Sequence, residues 1–289
     1  MGDVLTGFHA AWEFESDSVL IRYERGIRTP KLFQALGERR VPLDALAGVT
    51  LTAGRRGTVV LRAEPRQGAD PLMDAAEGQL KEGCDPYRLV LPAEREPLAE
   101  RYADELRARL TGGGPADRHL VAVPEPPLQF KAYDGKASFD GTAVRFRWSW
   151  TGASSAKWKA GDQSFPVADL GGVEWRSPEV FEGHLRLLRR EAGGAAAQTS
   201  QPPQPDQDPA AVVFGLGYGP VHESLPFAAA VLAAVRAAAP AAPVPVTAAA
   251  RRDPADIAER IRHLGELHQA GLVTDEEFSL KKAELLAEL

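Results

Sequence analysis

The sequence predicts an α+β protein: two tandem β-rich domains of barrel or sandwich type, each capped by a C-terminal helix, and a two-helix hairpin after them. Three observations carry this. A pattern near residue 41 returns near residue 165, short alternating segments surround both copies, and dense helix-boundary signals fill residues 253–289.

The repeat comes first because it sets the domain count. "VPLDALAGVTL" (Val41–Leu51) lines up with "FPVADLGGVEW" (Phe165–Trp175), matching Pro42 with Pro166, Leu46 with Leu170, Gly48 with Gly172 and Val49 with Val173. "VLIRY" (Val19–Tyr23) precedes the first copy as "VRFRW" (Val144–Trp148) precedes the second, and "DPYRLVL" (Asp85–Leu91) answers "DPAAVVF" (Asp208–Phe214). This reads as a tandem duplication, with repeats at 5–112 and 126–238.

Each copy opens with a period-2 segment: Val19, Ile21 and Tyr23 share one face, as do Val144, Phe146, Trp148 and Trp150. The Pro-to-Gly-Val step follows, then another short strand, "TVVLRA" (Thr58–Ala63) or "HLRLLRR" (His184–Arg190). A long, weakly structured loop is expected next in both, of low complexity in "EAGGAAAQTSQPPQPDQ". A last strand leads into a helix, marked in the first copy by Leu98, Tyr102, Leu106 and Leu110 and in the second by "SLPFAAAVLAAVRAA". Strands followed by one helix describe a small sheet structure closed by that helix.

"APAAPVPVTAAARR" (Ala239–Arg252) separates this body from the tail. Alternating Pro and Ala favour an extended chain of ~3.1 Å per residue, a tether on the order of 40 Å. In the tail, Asp253 and Pro254 supply an N-cap and a first-turn proline, and Gly271 stands where a helix would end. Thr274 and Glu277 form a capping box, with Val273 and Phe278 placed as its hydrophobic staple. Two such helices bury too little apolar surface to stand alone, so their faces must meet something else. The packed face expected to form an oligomer or partner interface is Ile261, Leu264, Leu267, Phe278, Leu285 and Leu286.

Composition narrows the function classes. A hydrophobic fraction of 44% and a charged fraction of 26% are those of a globular chain, and the net charge of −6 argues against a nucleic-acid partner. One cysteine, Cys84, excludes an internal disulfide framework and fits a reducing cytoplasm. Neither an apolar run of membrane-spanning length nor a basic leader is read in the sequence.

The search for chemistry gives little. His9, His119, His184, His222, His263 and His268 show no i, i+4 pair and no Cys/His cluster. "FGLGYGP" (Phe214–Pro220) matches neither the dinucleotide fingerprint nor a Walker loop. Nothing resembles a nucleophile elbow, so neither an enzyme nor a cofactor is expected.

One feature stands out in both opening segments. Arg22, Arg25, Arg28, Lys31, Arg39 and Arg40 face only Glu24 and Glu38 over residues 22–40. The second copy has Arg145, Arg147, Lys157 and Lys159 without an intervening acid, among Trp148, Trp150 and Trp158. Arginine suits bidentate phosphate contacts, so Arg22, Arg25, Arg28, Lys31, Arg145, Arg147, Lys157 and Lys159 are candidate ligands for an anion or an anionic membrane surface. Strand parity gives a plain reading, the usual meaning of such a pattern, with the tryptophans in the core and the arginines on a solvated face.

Two resemblances follow from these residues. The tail, with "LGELHQAGLVTDEEFSLKKAELL", resembles the SHOCT family of short bacterial C-terminal domains, which implies oligomerisation without catalysis. The body, by its layout and its "P-x-x-x-L-x-G-V" step, resembles the DUF4429 family of actinobacterial proteins. The order of strands and helix is similar to a pleckstrin-homology-like barrel, which implies anionic head groups near the loop after the first strand. The expectation is therefore a non-enzymatic cytoplasmic binding or scaffold protein, forming a homo-oligomer or docking a protein partner through its tail.

Overall fold

The computed structural model describes residues 3–180, 182–190, 203–215 and 222–238, all within one compact unit, Met1–Ala239. The tether, the hairpin and its expected interface residues Ile261, Leu264, Leu267, Phe278, Leu285 and Leu286 lie outside them.

The first repeat begins with a four-stranded antiparallel meander: β1 (Asp3–Thr6), β2 (Ala10–Phe14), β3 (Ser18–Tyr23) and β4 (Glu38–Pro42), with the short helix α1 (Lys31–Leu36) between β3 and β4. A second sheet holds β5 (Leu46–Ala53), β6 (Thr58–Pro65) and β7 (Arg88–Pro92). Helix α2 (Pro71–Ala76) joins β6 to β7, and α3 (Glu96–Arg109) closes the repeat. The second repeat has the same plan. Its first sheet is β8 (Leu128–Lys131), β9 (Gly135–Phe139), β10 (Ala143–Trp148) and β11 (Gln163–Pro166), with α4 (Ser155–Ala160) before β11. β12 (Leu170–Arg176), β13 (His184–Arg189) and β14 (Ala211–Val213) form its second sheet, and α5 (Ser224–Ala238) closes it.

The repeated Pro-to-Gly-Val step turns out to be a corner. Pro42 and Pro166 end the last strand of the first sheet, and a single 3-10 turn follows at Leu43–Ala45 and Val167–Asp169. The amide of Arg66 then bonds the carbonyl of Ala45 at 2.8 Å, as Arg190 bonds Asp169 at 2.9 Å. Between Leu46 and Gly48, and between Leu170 and Gly172, the pairing register shifts as it does at a β-bulge, re-aiming the chain into the second sheet. Leu46 and Leu170 are buried at the bend.

The corner also corrects the barrel expectation. Among the described residues the two sheets of each repeat remain separate and neither closes; between β1–β2 and β7 there is only an isolated bridge from Phe8 to Val90. Alternation along the strands still builds one core per repeat, with Trp12, Tyr87, Phe139 and Phe146 wholly buried. Each such side chain contributes about 1.5–3 kcal/mol of burial.

Further expectations are corrected. Two strands precede the segments taken to open each copy. β10 stops at Trp148, so Trp150 is not a core residue but stands 81% exposed in the following turn. The buried stripe of α3 is Ala99, Tyr102, Ala103 and Leu106, while Leu98 faces outward.

The long loop of the first copy, expected to be weakly structured, contains α2. Asp70 caps it, its side chain accepting from the amide of Leu72 at 2.9 Å, and Pro71 occupies the first turn. Its apolar residues Leu72, Ala75 and Ala76, with Leu32 of α1, belong to the core of the second repeat, beside Trp175, Leu225 and Val231. Polar contacts reinforce the junction. Gln79 donates to the carbonyl of Trp175 at 2.8 Å and accepts from the amide of Ser177 at 3.1 Å, and Arg236 of α5 donates to the carbonyls of Gly68 and Asp117. The two repeats are thus one body.

Removing part of this junction should be felt on both sides of it. Leu72→Ala is expected to lower the unfolding free energy by about 3 kcal/mol. It should also lower hydrogen-exchange protection in α5, although Leu72 belongs to the first repeat; unchanged protection there would mean that α2 contributes nothing to the second core.

Candidate functional site

The basic residues singled out in the sequence divide into three groups. The first is engaged across the outer face of the first sheets. Arg22 on β3 pairs with Glu13 of β2 and with Glu38 of β4 at 3.8 Å, and Arg40 pairs with Glu15. Arg145 meets Asp140 at 2.6 Å and Arg147 meets Asp162 at 3.5 Å. These exposed pairs are worth little to stability, but they neutralise four of the expected anion ligands or their neighbours. The Asp140 carboxyl is held well below the usual carboxylate range, chiefly by the hydroxyl and amide of Thr142 and then by Arg145.

The second group is buried, which corrects its reading as surface charge. Arg39 pairs with Asp70 at 2.7 Å, and the other oxygen of Asp70 accepts from the Tyr87 hydroxyl at 2.7 Å. Lys157 is wholly buried: its Nζ lies 2.5 Å from Asp134, donates to the carbonyl of Ala211 at 2.8 Å and sits 5.0 Å from the centre of the Trp148 ring. Such an ammonium cannot reach a ligand in solvent. Burial pushes the Lys157 amine down, against the pull of Asp134, and pushes the Asp134 carboxyl up, against that of Lys157.

The repeat explains what Lys157 replaces. Helices α1 and α4 have equal length and end at Gly37 and Gly161, which sets Phe33 against Lys157. In the first repeat Phe33 stacks on Tyr23 at 4.7 Å; in the second, Lys157 lies over Trp148. One copy fills the position with an aromatic pair, the other with a cation over an indole and its carboxylate partner. Lys157 occupies a core position.

The third group is free. Arg25 and Arg28 lie in the loop from β3 to α1 and Lys31 begins that helix; all three are exposed, with no ion-pair partner among the described residues, and so is Lys159. Between the two arginines Ile27 is fully exposed. The corresponding connection of the second repeat holds Trp150, packed edge to face against the half-exposed Trp158 with ring centres 5.5 Å apart. The basic loops therefore follow the third strand of each sheet, not the first.

No three His, Cys, Asp or Glu side chains cluster at metal-binding distance among the described residues. Burial raises the Cys84 thiol above its ordinary value, with Glu179 adding to the effect and Lys81 opposing it, which keeps it a thiol near neutral pH.

With this geometry established, the comparison with known families is direct. A family profile described as "Domain of unknown function (DUF4429)" matches residues 12–107 and again 137–232. The chain belongs to the DUF4429 family. The two DUF4429 matches fall on the two repeats, each beginning within the first sheet and ending within the closing helix. No curated protein matches the chain.

Sequence reasoning missed Asp134 and Asp70, the carboxylates that hold the buried cations, and the exposed Ile27. Asp70 had a legible signal, since "DP" before an apolar run is the same helix start read at Asp253–Pro254. Asp134 had none, because its partner lies 23 residues away.

The buried pair makes a specific stability prediction. Lys157→Met leaves the Asp134 carboxylate without its partner and should cost about 3–5 kcal/mol. Lys157→Met with Asp134→Asn should cost clearly less than the two single changes together. Chemical denaturation of the four proteins measures this, and additive costs would show that the pair is uncoupled.

Proposed function

We propose that this DUF4429 chain is a non-enzymatic binding and scaffold protein, with a fused tandem body that recognises a partner and a SHOCT-like tail that raises its valency. The observation that carries the binding half is the exposure of Ile27 and Trp150 at the same connection of both repeats. Ile27 gains nothing from folding, and Trp150 forms a small exposed aromatic patch with Trp158; apolar groups exposed at the same connection of both repeats support an interaction site there. The tail's capping box and apolar faces support assembly, and weak single-body contacts would gain avidity from it.

The test of assembly is solution mass by light scattering on the full chain and on a version ending at Ala250. The full chain is expected to be an oligomer and the shortened one a monomer, with Leu264→Asp or Phe278→Asp lowering the mass of the full chain. Equal masses for all of them would remove the tail from the account.

A second reading has its own support. Each repeat reads as a pleckstrin-homology-like unit by its four-plus-three strands and closing helix, and Arg25, Arg28 and Lys31 flank the exposed Ile27. An apolar tip ringed by free cations suits the surface of an acidic bilayer. Binding to acidic phospholipid vesicles should then fall with salt, given a Debye length of about 10 Å at 0.1 M. It should also weaken when Arg25, Arg28 and Lys31 are changed to Gln. An absence of binding at low salt would end this reading.

A further inference from the structure

The second sheets of the two repeats carry the same ion pair at the same register, but only one of them is closed. In the second repeat Arg186 stands opposite Glu174 on β12. Its three guanidinium nitrogens are all engaged: Nε donates to Asp208 at 3.0 Å, one terminal nitrogen to Glu174 at 2.8 Å, and the other to the carbonyl of Pro203 at 2.7 Å. The side chain is 9% exposed.

In the first repeat the equivalent residue is Arg62, and its Nε donates to Asp85 at 3.1 Å, as Arg186 does to Asp208. The other two acceptors are not reproduced. Thr50 stands opposite Arg62 where Glu174 stands opposite Arg186. The chain ahead of Asp85 leaves the sheet face as well: Leu80 packs against the core of the second repeat, and Lys81 pairs with Glu179 at 2.6 Å. Arg62 is accordingly 53% exposed, and its terminal nitrogens have no hydrogen-bond partner among the described residues.

What this leaves over the outer face of β5–β7 is a cleft of about 690 Å³, with Arg62 on its floor. Val60, Met73 and Leu80 supply apolar wall, Thr50 a hydroxyl, and Arg88, directly across the strand pair from Arg62, a second guanidinium held by Glu82 at 2.8 Å. The volume lies in the range of ordinary ligand sites. Asp85 and Glu82 each hold one of the lining guanidiniums, and Arg55 leaves the cleft with one cation in excess, which suits an anionic guest.

We propose that this cleft binds an extended, acidic peptide segment of a partner protein, anchored on Arg62. The second repeat displays the acceptors such a guest would bring, a carboxylate in the place of Glu174 and a main-chain carbonyl in the place of Pro203. The two free terminal nitrogens of one planar guanidinium can take such a carboxylate and a neighbouring carbonyl together, in a fixed geometry. The inference deepens the binding reading above and rests on it, but needs neither the tail nor the exposed loops.

The test uses the full chain and a labelled, end-blocked peptide PQPDQDP, the sequence of residues 203–209, which brings the Pro203 carbonyl that Arg186 uses and two carboxylates, either of which can take the place of Glu174. The peptide should bind measurably at concentrations up to about 1 mM, and its version with both aspartates changed to asparagine at least about tenfold more weakly. Arg62→Gln should weaken binding by at least about tenfold. Thr50→Glu should do the same with the melting temperature unchanged or raised, because it supplies the missing carboxylate from within; it guards against loss of binding through misfolding. Failure of the peptide to bind, or equal binding to Thr50→Glu, overturns the proposal. Displacement of the peptide by citrate at equal concentration also overturns it, in favour of a site for small carboxylates. The mass measurements on the tail are untouched by any of these outcomes, so the two readings fail separately.

Discussion

The corner at Pro42–Val49 and Pro166–Val173 is the constraint on which each repeat depends. A chain leaving a four-stranded meander must stop pairing, reverse, and re-enter a second sheet without stranding buried amides. Proline removes the donor that would extend the ladder, the 3-10 turn occupies the next carbonyls, and the register shift at the glycine absorbs the change in direction. Because Leu46 and Leu170 are buried at the bend, the corner is tied to both sheets at once. It survives in both copies while most of the surrounding identities differ.

Around that shared frame the copies have diverged in physically coherent ways. Phe33 on Tyr23 and Lys157 on Trp148 are two solutions to one packing position, the second needing Asp134 beneath it. Arg62 and Arg186 keep one carboxylate each and differ in everything else around the guanidinium. Helix α2 has a wider consequence. By leaning onto α5 it joins two similar units into one body, and its Met73 forms part of the wall of the cleft above Arg62.

Much of this frame was legible in the sequence. Pro42, Leu46, Gly48 and Val49 found their partners by spacing alone, and period-2 segments such as "VLIRY" and "VRFRW" became β3 and β10. What escaped depended on contacts between distant residues. β1 and β2, with "DVLT" and "AAWEF", alternate too weakly to announce themselves and are strands because β3 pairs with β2 and β2 in turn with β1. The candidate site fared worse for the same reason. Sequence shows that arginines and lysines gather, but whether a cation is free depends on carboxylates brought from elsewhere, as Glu13 is to Arg22 and Asp134 to Lys157. Among the described residues, Arg25, Arg28, Lys31 and Lys159 alone kept the availability that the pattern suggested.

The helix α2 also sets an order of events during synthesis. Its apolar residues Leu72, Ala75 and Ala76 leave the ribosome with the first repeat, yet the surface that covers them includes α5, made roughly 150 residues later. At ordinary elongation rates the nascent chain carries that uncovered stripe for on the order of ten seconds. Through that interval the apolar stripe of α2 is without the α5 surface that covers it in the finished body, so the first repeat cannot complete its native packing ahead of the second.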